Sequence, residues 1–299
     1  MGLGAVYLRF RQKFGHGLRV AWYRDVVRPR ILETPPVSGL LDDRCEIHAF
    51  TSQQDWLNLI WGLKSFYTFS GRHYRLCIHE DGSLDNVAFN HLATQFPDAR
   101  VISRTEADQL VFEKLKDYPR TLAFRKTNLL APKITDFIAY LQSDRMLVFD
   151  SDILFFGEPT VLLQRIESDD YRLNTFNSDF DSAYTIDPAK TEGLVKFRIL
   201  PCFNSGLGLA NRNSIRYDWL EEFLALPGIT EGHFWRIEQT LYALCSSRYG
   251  TEPLPDEYKL YLQKGIGGRP FRHYVGAIRH LMYQEGICNL YKTGFLSSA

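Results

Sequence analysis

The segment that most limits the fold is Arg145-Met146-Leu147-Val148-Phe149, an apolar run that passes directly into Asp150-Ser151-Asp152. A strand buried on both faces tolerates no charge within it, so the run predicts a central strand with two acids at its open end. Side chains alternate along an extended chain, which puts residues i and i+2 on one side. Two carboxylates about 6–7 Å apart on that side can share a hard divalent cation. Asp150 and Asp152 are therefore expected to hold Mn²⁺ or Mg²⁺, with Ser151 between them against the bound ligand.

Upstream, strand-like and helix-like segments alternate. Glu46 to Ser52 reads as a first strand, and Asp55 to Phe69 as a helix with Trp56, Leu59, Ile60, Leu63 and Tyr67 on one face. A second strand (Tyr74–His79), a short helix (Leu84–Gln95), a third strand (Ala99–Ile102) and a helix around Leu122–Leu141 follow. Such alternation implies right-handed crossovers and a mostly parallel α/β sheet covered by helices. Ligands then bind at the carboxyl ends of the strands, where the Asp pair falls. Asp179-Phe180-Asp181 repeats the Asp-x-Asp pattern, but it follows Asn177-Ser178 and reads as a polar loop outside the metal site.

Residues 1–44 differ from the rest. Before residue 31, Arg9, Arg11, Lys13, Arg19, Arg24, Arg28 and Arg30 face a single acid, Asp25, giving 7 − 1 = +6. Leu3, Tyr7, Phe10 and Phe14 recur at helical spacing, so residues 1–30 are expected to form a basic amphipathic helix able to lie on an anionic membrane surface. Thr34-Pro35-Pro36 reads as a linker. Residues 45–299 then form one domain, with a ligand-binding half (45–155) and a half that completes the metal site (156–299).

Bulk properties narrow the remaining classes. Lys plus Arg (35) balance Asp plus Glu (35), which gives no reason to expect a nucleic-acid partner. The five cysteines are dispersed with no C-x-x-C pair, as suits a reducing cytoplasm. With no continuous apolar run of about 18 residues and no signal-peptide core, the expected location is cytoplasmic, peripheral on the inner face of the membrane.

Near the carboxyl end stands His273-Tyr274-Val275-Gly276-Ala277-Ile278-Arg279. An imidazole beside two carboxylates suits Mn²⁺, which makes His273 the third ligand. Gly276 permits close backbone approach to a diphosphate, and Arg279 neutralises charge on it.

With Phe203-Asn204-Ser205-Gly206-Leu207 and Glu238-Gln239-Thr240, these motifs resemble, in order, those of the nucleotide-sugar glycosyltransferases of the GT-A fold, most closely family 8. The resemblance covers about residues 45–285. It departs from the family pattern by Arg279 in place of Lys, Glu238 in place of Asp, and Thr240 in place of a final Asp. It implies that Asn204, Ser205 and Gly206 lie beneath the donor sugar and that Glu238 and Gln239 sit near the reacting carbon. It further implies that a basic residue on the helix before the Asp pair, Arg125 or Lys126, contacts the donor. Thr51 and Ser52, ending the first strand, would hold the nucleotide base and ribose, with Asp81 accepting from the same moiety.

The expected activity is transfer of a hexose from a nucleoside-diphosphate sugar, UDP-sugar by default, to a hydroxyl acceptor with retention. The acceptor class, whether carbohydrate, lipid-linked or protein, stays open. The alternatives are a haloacid-dehalogenase-type phosphohydrolase, which also uses strand-Asp-x-Asp, and a nucleotide-sugar-binding protein without turnover.

Overall fold

The computed structural model describes residues 14–297. Among these residues, nine strands form two sheets. The large one is built from β1 (Asp42–Thr51), β2 (Tyr74–Glu80), β3 (Arg100–Ile102), β4 (Arg145–Asp150), β6 (Asn174–Ser178), β7 (Phe203–Asn211) and β8 (Thr251–Pro253), in the order β3-β2-β1-β4-β7-β6-β8. The small one pairs β5 (Ile153–Phe155) with β9 (Phe271–His273). The β1–β4 half is parallel throughout, whereas β7 runs antiparallel to both β4 and β6. Ile47, Ala49, Leu147, Val148 and Phe149 are all fully buried, which explains the unbroken apolar reading of β1 and β4.

The helix Trp56–Ser70 lies on one face of the sheet and closes on Gly71, whose φ of 60° suits a left-handed cap. The stretch expected as one helix around 122–141 is two, Pro119–Thr127 and Pro132–Tyr140. Pro132 lacks the amide that a continuous helix would need there, and it opens the second helix instead. A further helix, Arg104–Lys114, buries only Ala107 and Val111, which with Leu115 form a small core cluster, and is otherwise largely polar.

Of the amino-terminal region, the described part includes the helical stretch from Leu18 to Glu33. Its Val20, Val27 and Ile31 are buried in the main core, and Trp61 Nε1 donates to the Arg28 carbonyl at 2.8 Å. Leu3, Tyr7 and Phe10, three of the four residues of the expected amphipathic face, lie outside the described residues. The Thr34-Pro35 segment is not a free linker. Thr34 is buried, and the Lys64 ammonium donates to Thr34 Oγ1 at 2.7 Å and to the Pro35 carbonyl.

Candidate active site

Asp150 ends β4, and Asp152 stands in the turn between β4 and β5. Because β9 pairs with β5 so that His273 lies opposite Ile153, the far end of the chain delivers its imidazole to this turn. Tyr274 N donates to the Asp152 carbonyl at 2.8 Å and fixes the register. His273 Nε2 lies 3.0 Å from Asp152 Oδ1 and 3.7 Å from Asp150 Oδ2. One ligand atom from each of the three residues falls within 4.8 Å of the others.

The antiparallel return of β7 brings Asn204, Ser205 and Gly206 to the same end of the sheet. His273 Nδ1 sits 3.2 Å from Asn204 Oδ1, which also accepts from Gly206 N at 3.0 Å. With Nδ1 donating to that oxygen, the Nε2 lone pair faces the two carboxylates, the orientation a metal-bound histidine needs. Gly206 is required here: a Cβ at that position would lie 2.2 Å from His273 Cε1. The imidazole is buried, which lowers its pKa, yet the Asp152 and Asp150 carboxylates outweigh burial and hold it above its ordinary value. Two hard carboxylates and one oriented imidazole form a donor set that fits Mn²⁺ or Mg²⁺.

Burial opposes ionisation of Asp152, but Arg279 and His273 hold its carboxyl far below the usual range. Arg279 Nη2 donates to Asp152 Oδ2 at 2.7 Å, and its Nη1 reaches Asp55 Oδ1 at 2.5 Å. A Cβ at Gly276 would meet nothing within 4 Å, so the approach to its backbone is open.

Glu238 and Gln239 lie one turn inside the helix Phe234–Tyr249, both buried, and not at its start. Burial pushes the Glu238 carboxyl up to about 7, with Lys133 opposing and Asp150 reinforcing the shift. Ser205 Oγ donates to Glu238 Oε2 at 3.0 Å, and Gln239 Nε2 donates to the Ala183 carbonyl at 3.2 Å.

The basic residue beside the Asp pair is Lys133, not Arg125 or Lys126. Its ammonium lies 2.6 Å from Asp150 Oδ1 and 3.5 Å from Glu238 Oε1. Arg125 is fully buried against Asp136 at 2.6 Å and Asp108 at 2.8 Å, so its charge is consumed in the core. Lys126 points to the Phe112 ring, away from the acids. Asp179, from the loop pair, is buried and accepts from Asn204 Nδ2 at 3.1 Å, whereas Asp181 is exposed and caps its own turn at Ser182 N. That pair does not converge on a cation.

A cleft of about 620 Å³ opens over these groups. Its lining includes Thr51, Ser52, Asp81, Ser151, Asp150, Asp152, Lys133 and Arg279, which unites the expected base-and-ribose residues with the acids.

No protein-family profile and no curated protein matches this chain. Its fold does match solved structures. Mouse xyloside xylosyltransferase 1 in its apo form aligns with a TM-score of 0.54 at 12% identity, over 80% of this chain and 99% of that one. The galactosyltransferase LgtC, solved with donor and acceptor sugar analogs, aligns with a TM-score of 0.51 at 12% identity, over 83% and 95%. This is the GT-A fold. In GT-A terms, the site at the carboxyl ends of β1, β2 and β4 occupies the ligand-binding edge of the sheet. The bifunctional glycosyltransferase WbbM shares the fold at a TM-score of 0.50 and 12% identity, over 86% of this chain and 53% of its own.

Proposed function

We propose that the protein is a metal-dependent glycosyltransferase that moves a hexose from a nucleoside-diphosphate sugar, UDP-sugar by default, to a hydroxyl acceptor with retention. The observation that carries this reading is the convergence of Asp150, Asp152 and His273, with the two acids lining the cleft and the buried imidazole behind them. These three residues would hold Mn²⁺ or Mg²⁺. A bound divalent cation stabilises charge that develops on the departing diphosphate without a proton transfer.

The chain's own groups supply the rest. Arg279 and Lys133 add fixed positive charge at the edge of the cleft, where preorganised cations act strongly because little water competes. Thr51, Ser52 and Asp81 line the end of the cleft formed by β1 and β2, suited to a base and ribose. Asn204, Ser205 and Gly206, packed against His273 and Glu238, are the residues we assign beneath the sugar. Gln239, with its amide oxygen 3.5 Å from Asn204 Nδ2, and Glu238 are the residues we assign to the neighbourhood of the anomeric carbon, on the strength of the motif resemblance. Glu238 is buried and engaged by Ser205 and Lys133, which disfavours it as the exposed base of an inverting reaction.

A panel of nucleotide sugars assayed for Mn²⁺-dependent hydrolysis, with UDP-hexoses first, tests the reading. Turnover abolished by EDTA is expected, with p-nitrophenyl phosphate left intact. Phosphatase activity without sugar-nucleotide turnover would replace it by the phosphohydrolase, and tight donor binding without turnover by a binding protein.

A further inference from the structure

We propose that the outer face of the helical segment Leu18–Val27 docks on an anionic lipid surface. This inference is independent of the transferase reading. Leu18, Trp22 and Val26 recur at intervals of four and are 76%, 57% and 45% exposed, while Val20 and Val27 on the opposite face are 2% exposed. Among the described residues no other element carries three exposed large apolar side chains at helical spacing. The segment is thus apolar on both sides: one side is packed into the protein, and the other faces outward as a continuous stripe.

Charge identifies what covers the stripe. Arg19, exposed beside Leu18 and Trp22, keeps its charge at the surface with Nη2 on Cys288 Sγ at 3.1 Å; Arg24 and Asp25 cancel as an ion pair at 2.7 Å, and in the sequence Arg9, Arg11 and Lys13 precede the segment with no acid among them. A second protein copy would bring the same cations against themselves, whereas acidic headgroups complement them. Tryptophan has its preferred place at a bilayer interface, where its ring is half in water. Basic residues next to a shallowly inserted apolar stripe are the two contributions that hold a monotopic helix on a membrane. No helix among the described residues is long and apolar enough to cross one.

The turn of helix that follows the stripe, Arg28–Glu33, anchors it to the body of the protein. Arg28 donates to Asn58 Oδ1 at 3.0 Å, and Arg30 to the Tyr291 hydroxyl at 3.0 Å, so the docking face is held in a fixed orientation relative to the sheet.

The test is co-sedimentation of the full chain with vesicles of phosphatidylcholine alone or mixed with phosphatidylglycerol. The variant is Leu18→Ser/Trp22→Ser/Val26→Ser, which changes exposed positions only, with circular dichroism confirming the fold. The native chain is expected to bind the phosphatidylglycerol vesicles, to release in high salt, and to lose about tenfold or more in affinity in the variant. Absence of binding, equal binding to both vesicle types, or binding unchanged in the variant would each overturn the proposal. A native dimer in sedimentation equilibrium that the triple variant dissociates would also overturn it, in favour of a second copy on the stripe.

Discussion

The Lys133 ammonium stands 2.6 Å from Asp150 Oδ1, and both are at the edge of the cleft. Burial alone would lower the lysine pKa, but Asp150 and Glu238 more than offset this and keep it charged. Among the described residues it is the cation that pairs with both Asp150 and Glu238. Removing one member of a buried charge cluster leaves the others uncompensated, at about 3–5 kcal/mol. Lys133→Met is therefore expected to lower the urea midpoint and to reduce Mn²⁺-dependent donor hydrolysis by about 100-fold. Lys133→Arg should recover most of the stability. Wild-type turnover in Lys133→Met would remove the residue from the site.

Replacing an acid ligand separates metal binding from folding. Asp150→Asn and Asp152→Asn preserve shape and are expected to cut turnover by about two orders of magnitude or more. His273→Ala should weaken Mn²⁺ binding by about tenfold or more, the size associated with losing a ligand or its support. Donor hydrolysis reads the first effect and isothermal titration with Mn²⁺ the second. A titration unchanged by His273→Ala would exclude the imidazole from the metal.

Glu238 gives the protein a pH signature of defined sign. Its carboxyl is raised by burial to about 7 from an ordinary 4.5, so the folded state holds a proton that the unfolded chain releases. The associated stability is complete below about pH 4.5 and is lost as pH rises through 7, to a total of about 3 kcal/mol. Glu238→Gln lacks this loss. In EDTA, the variant should gain on the native protein between pH 5 and pH 8, as followed by urea denaturation. A pH-independent difference would contradict the buried, protonated acid.

A second pair titrates with opposite sign. His48 Nδ1 lies 3.1 Å from His79 Nε2 on neighbouring strands β1 and β2, and burial holds both rings below their ordinary pKa of 6.5. They are neutral in the fold and take up protons on unfolding. Their contribution is present above pH 6.5 and declines as pH falls below it. His79→Leu should flatten the fall of the urea midpoint between pH 6.5 and pH 5, and an equally steep fall would exclude the pair as its source.

How far the site is legible in the sequence follows from which residues are set by local pattern. Asp150 and Asp152 are readable because an apolar strand can carry acids only at its end. His273 is readable only as a partner to that pair, since β9 is three residues long and has no periodicity of its own. Arg125-Lys126 reads as a basic pair on the helix before β4, yet the nearby acids Asp108 and Asp136 claim Arg125. Lys133 carries a subtler signal: a lysine in the first turn of a helix sits against the positive end of its dipole, and is stable there only if an acid faces it. Reading that signal requires seeing that Pro132 opens a new helix. The strands themselves are legible as far as β4, as is their parallel sense. The antiparallel return of β7 depends on pairing across a long separation that no local pattern encodes.

The amino-terminal segment lies outside the motif-bearing region, yet a chain of side chains links it to Asp152. Arg28 donates to Asn58 Oδ1 at 3.0 Å, Asn58 Nδ2 donates to Asp55 Oδ1 at 3.3 Å, and Arg279 bridges Asp55 and Asp152. Burial depresses the Arg28 pKa, so its guanidinium is held there by these partners against a cost of desolvation. Asp55 fixes one arm of Arg279, and Arg279 in turn fixes Asp152. Arg28→Ala is expected to leave the fold intact and to weaken Mn²⁺ affinity and donor turnover together by about tenfold, the scale seen when support behind a ligand is lost. Because Arg28 and Asn58 act through one path, Arg28→Ala/Asn58→Ala should cost less than the sum of the two single changes. Additive losses in the metal titration would mean that the two residues serve the fold separately and that the path does not reach Asp152.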